Sequence, residues 1–497
     1  MLRQPNGLTV FLLLACLAGC RSGSEAPLAN AGDRDAGPPP GDPDATTPAD
    51  AALEAGPERG DTPQWPEAEQ EVELPYGGSA QTRLLVVEAR PGALDLHLNV
   101  DTTASIRFAI DELQGALRTD VVRRLAARTK DIAFGVSRYA DFPRTPFGRE
   151  TARADRAFVL LTAISTDLER VIAAVNQLDR PLDQGGDIQE ASAEALYQVA
   201  TGAGYTSERV ALIEPWSRVI APGGGSLGGV GFRSFALRVV LHVADAPTHQ
   251  PAEYADAGLA GTRSLAEATA ALRELGARVV AIMPTNCNED ACRQQWAYGL
   301  TRLELSRLAV ATGAVTTPQR ERCSTGIAGG SLPVFEETCP LVFDTRGDGS
   351  GLSRTLSDGV LALLDELRFG AVQAEPSFDR LELVQGLRAE QVPQADDRAA
   401  PELSDRLPNA GPDGIMDTHV QVGRDARVGF RVTLQNRVIA PAAVPQRFRV
   451  AVRVSGDGIL LEERFLRVVV PAASDMGEAG TSGKPPSDAS AEDDGGD

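Results

Sequence analysis

Aromatic residues are scarce in this chain, at 5% of 497 positions, and there are only four histidines. Positive charge is also short: 48 Lys and Arg face 69 Asp and Glu, for a net charge of −21. A nucleic-acid binder needs a positive footprint to displace counterions from phosphate, so this balance argues against that class of partner. A negative surface instead favours solubility and attracts cations. The histidines, His97, His242, His249 and His419, form no HExxH or other metal pair. His97 and His242 fall in expected strands and read as hydrogen-bonded structural residues, while His249 could line the rim of a site. No nucleophile–base pairing is visible, so catalysis is not expected. After Leu17 no second long apolar run occurs, so no mature membrane-spanning helix is expected.

What is present points to two or three domains. A hydrophobic content of 42% supports real cores, while 49 Gly and 33 Pro with so few aromatics imply disordered connecting segments. Arg3 precedes an apolar stretch, Leu8 to Leu17, too short to span a bilayer as a mature helix. Leu17-Ala18-Gly19-Cys20 then resembles the lipobox of bacterial lipoproteins, in which cleavage leaves a lipid-modified cysteine at the new N-terminus. The resemblance implies a signal peptide over 1–19, Cys20 as lipidation site, and membrane attachment through the lipid. Arg21, rather than aspartate, implies an outer-membrane lipoprotein by the same comparison; the leaflet it faces is left open. The alternative is an ordinary secretory signal with an incidental cysteine.

Residues 20–80 read as a disordered Pro/Ala/Asp-rich tether, since they cannot bury enough apolar area to offset ordering entropy. Its ~55 flexible residues would reach roughly 40 Å. Residues 474–497 read as a disordered acidic tail. Cys287, Cys292, Cys323 and Cys339 are an even set in an oxidising compartment, which implies two disulfides. Three pairings are open, with proximity favouring Cys287 with Cys292 and Cys323 with Cys339. A zinc site is the rival, but the spacing is not CxxC…CxxC and no histidine is close.

Between the tails, strand and helix periods alternate. Leu94, Leu96, Leu98 and Val100 share one face of a strand, and Ile106, Ile110, Leu113, Leu117 and Val121 form a helical stripe. Strands are expected at 131–139, 157–164, 235–243 and 278–283, with helices at 167–178, 190–200, 264–275, 295–312 and 356–367. Repeated β-α units predict an α/β domain over 81–375, a doubly wound, mostly parallel sheet with helices on both faces. Residues 376–473 turn β-rich without helical period and predict a small all-β sandwich.

Directly after the first strand comes Asp101-Thr102-Thr103-Ala104-Ser105, which resembles the D-x-[S/T]-x-S signature of von Willebrand factor A and integrin I-like domains. Asp245, in Ala244-Asp245-Ala246-Pro247, resembles the family's later metal loop. Gln184-Gly185-Gly186-Asp187-Ile188-Gln189-Glu190 resembles its third loop, with Asp187 where many relatives have threonine. Phe134-Gly135-Val136 leading to Tyr139-Ala140-Asp141-Phe142-Pro143 is similar to the integrin β-like members. The resemblance spans about 85–370. It implies a metal-ion-dependent adhesion site with ligands Asp101, Thr103, Ser105, Asp187 and Asp245, Glu190 being the alternative in the third loop. Hard oxygen donors imply Mg²⁺, with Ca²⁺ or Mn²⁺ as alternatives. In the family one coordination position stays open for a partner's carboxylate, which implies protein binding rather than turnover. A structural or assembly component of the envelope with a degenerate site is the second reading.

Other motifs lack their context. Gly224-Gly225-Ser226-Leu227-Gly228 matches a nucleophile elbow without the strand and helix that the elbow needs, leaving a hydrolase as a distant alternative. Arg346-Gly347-Asp348 reads as an incidental turn tripeptide. Asn409, Asp413, Gly414 and Asp417 lack the glutamate that closes a calcium loop.

Overall fold

The computed structural model describes residues 70–474 except 130, 150–154, 181, 183–184, 217–219, 286–294, 396–398 and 406–413. The signal segment, Cys20, the tether as far as residue 69, Gln184, Cys287, Cys292, Asn409, Asp413 and residues 475–497 lie outside the described residues.

Six strands form the sheet that carries the candidate site: β1 (Ala93–Asp101), β2 (Asp131–Tyr139), β3 (Val159–Ser165), β4 (Leu237–Val243), β5 (Ala277–Thr285) and β6 (Val342–Arg346). Their order is β6-β5-β4-β1-β2-β3. All neighbours are parallel except β2 and β3, which run antiparallel. The chain builds outward from β1 through β2 to β3, then returns to β4 on β1's other side. The loops leaving β1 and β4 thus sit side by side at the point where the strand order reverses, the place where open α/β sheets carry ligand sites.

Every residue of β1 is buried. Leu94, Leu96, Leu98 and Val100 fill one face as their alternation predicts, but Asp95, His97, Asn99 and Asp101 on the other face are also fully enclosed. A central parallel strand is ordinarily apolar on both faces, so these polar groups are costly unless each is satisfied. Asp95 is satisfied by Arg233, whose Nε and backbone N–H both donate at 2.7 Å while Nη1 reaches Asp131 at 2.6 Å.

The helical stripe also forms. Helix α1 (Arg107–Ala116) continues through a π turn, and Ile106, Ile110, Leu113, Leu117 and Val121 are all buried. The helix Leu265–Leu275 starts at a Ser264–Glu267 capping box and stops at Gly276, whose φ of 69° suits a residue without Cβ. The helix Leu168–Val175 and helices α2 (Ser192–Thr201), α3 (Trp296–Ala311) and α4 (Leu352–Asp365) match the remaining helical periods to within a few residues.

The second β-region draws strands from both ends of the described chain. Gln70–Glu73 pairs in parallel with Ile459–Val470, and Gln81–Glu88 pairs antiparallel with Arg427–Leu434. They complete a six-stranded and a three-stranded sheet with the C-terminal strands. Linear boundaries at 81–375 and 376–473 do not describe this arrangement, because the α/β unit lies between the β-region's first and later strands. Residues 70–80, read from composition as tether, contain a strand. Val72 and Leu74, both buried, supply too short an apolar pattern for detection, and their partner strand is remote in sequence.

Cys323 and Cys339 form a disulfide with Cα atoms 5.3 Å apart. Among the described residues, no helix is long and apolar enough to cross a membrane.

Candidate metal centre

Asp101 ends β1, and its Oδ1 accepts from the backbone N–H and the hydroxyl of Thr103, both at 2.8 Å. Thr103 Oγ1 lies 2.9 Å from Ser105 Oγ. Thr102 anchors the turn to β2, donating from its backbone and side chain to the Tyr139 carbonyl. The alternating Asp-x-Thr-x-Ser oxygens thus gather at the strand end, with Asp101 buried and Ser105 exposed.

Asp245 follows β4, and the Ser105 hydroxyl hydrogen-bonds its carboxylate. Burial pushes the Asp245 carboxyl up to about 6, although the Ser105 bond acts to lower it.

The third loop lies along the segment after β4. Glu190 N donates to Pro247 O at 3.0 Å, and His249 N donates to Glu190 O at 3.1 Å. Gly186 lets the same loop pass close to the segment after β2, since a Cβ at that position would lie 1.7 Å from the Pro146 carbonyl oxygen. Glu190 is 4% exposed, and its Oε2 is buried without a hydrogen-bond partner. Burial, then the carboxylates of Asp101, Asp141, Asp245 and Asp187, raise its pKa well above the usual value. Tyr139, beneath the strand ends, is raised well above its usual value by burial and then by Asp101, Glu190 and Asp245. Carboxylates from three separate loops therefore act on one another.

Asp187 is placed differently. It is exposed, and its Oδ1 lies 3.2 Å from His249 Nε2. The same ring nitrogen is 3.3 Å from Asp141 Oδ2, while His249 Nδ1 is 3.1 Å from Glu253 Oε2. Burial alone would lower the His249 pKa, but Asp141, Glu253 and Asp187 outweigh it and raise the value to about 9. Asp141 is fully buried and also accepts from the Tyr254 hydroxyl at 2.7 Å. Ligand atoms of Asp141, Asp187 and His249 all lie within 4.8 Å of one another.

His249, expected only at a rim, and Asp141, expected only within a strand-end loop, thus stand at the centre of this group. The signal available was local: Asp141 follows a strand end by two residues, and His249 precedes Glu253 by one helical turn. Glu304, on α3, was not singled out. It accepts from Thr248 N at 3.0 Å, and burial raises its pKa to about 7.

Asp101, Thr103, Ser105, Glu190 and Asp245 offer only oxygen donors, the set that hard divalent cations take. The buried, unpartnered Glu190 Oε2 fits such an ion, because an uncompensated buried carboxylate is costly.

The Gly-rich stretch serves the sheet. Gly223 N donates to Ile164 O, and Ile164 N donates to Val230 O, so this loop covers part of β3's outer edge. Ser226 is exposed in an irregular turn.

No family model matches the sequence, and no curated protein does. Among solved structures, the chain is similar to von Willebrand factor type A from Catenulispora acidiphila, at 11% identity over 82% of this chain and 73% of that one, with a TM-score of 0.30. It is also similar to the pilus adhesin SpaC from Lactobacillus rhamnosus GG in its open conformation, at 10% identity and a TM-score of 0.33. That match covers 80% of this chain and 46% of the adhesin. Superpositions this loose assign no residue of this chain a role.

Proposed function

We propose that the protein is an envelope-anchored lipoprotein that binds a protein partner through a divalent cation held at the carboxyl ends of β1 and β4. The observation that carries this reading is Glu190 Oε2, buried and unpartnered among the carboxylates of Asp101 and Asp245. Mg²⁺ is the favoured ion, with Ca²⁺ or Mn²⁺ as alternatives. Asp101, Thr103, Ser105 and Asp245 would hold it, as the resemblance of Asp101–Ser105 to the von Willebrand factor A signature implies. Between the two third-loop alternatives, the geometry favours Glu190, because Asp187 faces His249. A bound cation would offer positive charge to a partner's carboxylate, so the reading is recognition rather than turnover. Phe108 and Ile188, 59% and 56% exposed, flank the first and third loops and would add apolar contact to such a partner.

Cys20 would carry the lipid, and the Pro/Ala/Asp-rich segment after it would tether the binding domain to the outer membrane. Metabolic labelling with a palmitate analogue tests the anchor: the wild-type chain takes up label and Cys20→Ala does not.

One observation favours the second reading, an envelope component with a degenerate site. His249 already places a positive charge beside Asp141, Asp187 and Glu253, so part of the acidic group is balanced without an ion. Calorimetric titration of chelator-stripped full-length protein with MgCl₂ separates the two. The binding reading expects a single-site isotherm that Asp101→Ala abolishes; a flat trace for wild type at millimolar Mg²⁺, Ca²⁺ and Mn²⁺ would leave the scaffold reading.

A further inference from the structure

The polar face of β1 continues below the candidate centre as a chain of hydrogen bonds with one proton direction. Ser137 Oγ donates to Asn99 Oδ1 at 2.8 Å, so it accepts from His97 Nε2 at 2.7 Å. Asn99 Nδ2 donates to His242 Nδ1 at 3.0 Å, which places the proton of the neutral imidazole on Nε2. His242 Nε2 then donates to Ser192 Oγ at 2.8 Å. Ser192 hydrogen-bonds Tyr139, whose hydroxyl donates to the Val243 carbonyl at 3.2 Å. The Tyr139 and His242 rings stack at 5.3 Å, 12° from parallel. His97, Asn99, Ser137, His242 and Ser192 are all 5% exposed or less.

The rows of this chain follow the strand register. Asn99 sits opposite both Ser137 and His242, and one pleat on, Asp101 sits opposite Tyr139. Gly135 makes room for the far end, since a Cβ there would lie 2.6 Å from His97 Nδ1. His242 is the hub. It touches Asn99, two residues before Asp101, and Ser192, two residues after Glu190, and it lies three residues before Asp245 on its own strand.

We propose that His242 is a positioning residue for the metal centre, fixing the first turn of α2, and with it Glu190, against the ends of β1 and β4. The inference rests on the cation reading above. Ladder hydrogen bonds already hold β1 and β4 together, but α2 has no such ladder. Glu190 is held by its backbone bonds to Pro247 and His249, and the helix start that follows it by Ala191 N to Ala140 O, Ala193 N to Thr248 Oγ1, and the His242–Ser192 bond. Of these, the His242–Ser192 bond enters the sheet's interior through side chains, beside the Ser192–Tyr139 bond, and the Tyr139 hydroxyl also lies 3.4 Å from His242 Nε2. Breaking the His242–Ser192 bond removes a side-chain tie of the helix start to the sheet and loosens the one loop whose carboxylate is not on a strand end, leaving backbone bonds and the Tyr139 contact to hold it.

The test is Mn²⁺ affinity of the full-length, chelator-stripped protein, read from the electron paramagnetic resonance signal of free Mn²⁺. His242→Leu and Ser192→Ala are expected to weaken binding about tenfold, as loss of an outer-shell partner typically does. His242→Gln, whose amide N–H can still reach Ser192, is expected to return affinity to within about threefold of wild type. Leu241→Ala, a core truncation on the sheet's other face, controls for stability alone and is expected to leave Mn²⁺ affinity unchanged. Wild-type affinity in both His242→Leu and Ser192→Ala would overturn the proposal, as would equal weakening by Leu241→Ala. Should His242→Leu not fold, Ser192→Ala carries the comparison. If wild type itself binds no Mn²⁺, the cation reading fails first, and the positioning role falls with it.

Discussion

The hydroxyl of Ser105 hydrogen-bonds the carboxylate of Asp245, joining the turn after β1 to the loop after β4. These loops leave neighbouring strands where the strand order reverses at β1, and the bond links them there. Glu190 closes the third side through backbone bonds to Pro247 and His249. An arrangement that gathers three carboxylates and leaves one oxygen unpartnered costs stability unless something positive offsets it.

That cost predicts the behaviour of Glu190→Gln. The Glu190 pKa is raised well above the usual value, so the charged form is disfavoured in the folded chain and stability is lost as pH rises from the ordinary carboxylate range up to the folded pKa. At pH 8 in chelator, the variant is expected to be more stable than wild type, measured by urea unfolding. With Mg²⁺ the order should reverse, because the variant has lost a ligand. A variant less stable than wild type in chelator would show that the carboxylate is stabilising without an ion.

Arg233 holds two carboxylates at the opposite end of the sheet, Asp95 at 2.7 Å and Asp131 at 2.6 Å. Its side chain and that of Asp95 are buried, so Arg233→Ala strands a charge in the core. A loss of about 3–5 kcal/mol is expected from chemical denaturation. A loss under about 1 kcal/mol would mean that Asp95 finds water or another donor.

His97 predicts a pH dependence. Burial lowers its pKa to about 3, below the ordinary 6.5, so the unfolded chain binds the extra proton first as pH falls. Its contribution is fully present above 6.5 and is lost progressively toward 3. Between pH 7.5 and pH 5 one such group costs about 2 kcal/mol. In chelator, His97→Gln should therefore lose about 2 kcal/mol less than wild type over that interval. Parallel stability curves for the two proteins would refute the assignment.

Much of the α/β fold was legible because its signals are local. The alternation of Leu94 to Val100, the stripe from Ile106 to Val121 and the apolar run at 237–243 each fix an element without reference to the rest of the chain. Asp101, Thr103 and Ser105 were legible as a group because the turn that gathers them is five residues long. The strands at 70–73 and 81–88 were not, because what makes them strands is pairing with 459–470 and 427–434. Nor was the difference between Asp187 and Glu190. Three residues apart in one loop, they are separated by the approach of His249 from after β4, a contact with no trace in local spacing. The polar face of β1 was visible as Asp95, His97, Asn99 and Asp101, but its burial depends on helices and loops packed from elsewhere.

The central claim, that a divalent ion binds at Asp101, is tested most directly by thermal unfolding of the full-length chain in EDTA and then in excess Mg²⁺, Ca²⁺ or Mn²⁺, beside Asp101→Ala. A ligand that binds only the folded state adds about 2.7 kcal/mol at a hundredfold excess over Kd. The account predicts a midpoint several degrees higher with metal for wild type and no shift for Asp101→Ala. Equal shifts in both proteins, or none in either at millimolar metal, would contradict it.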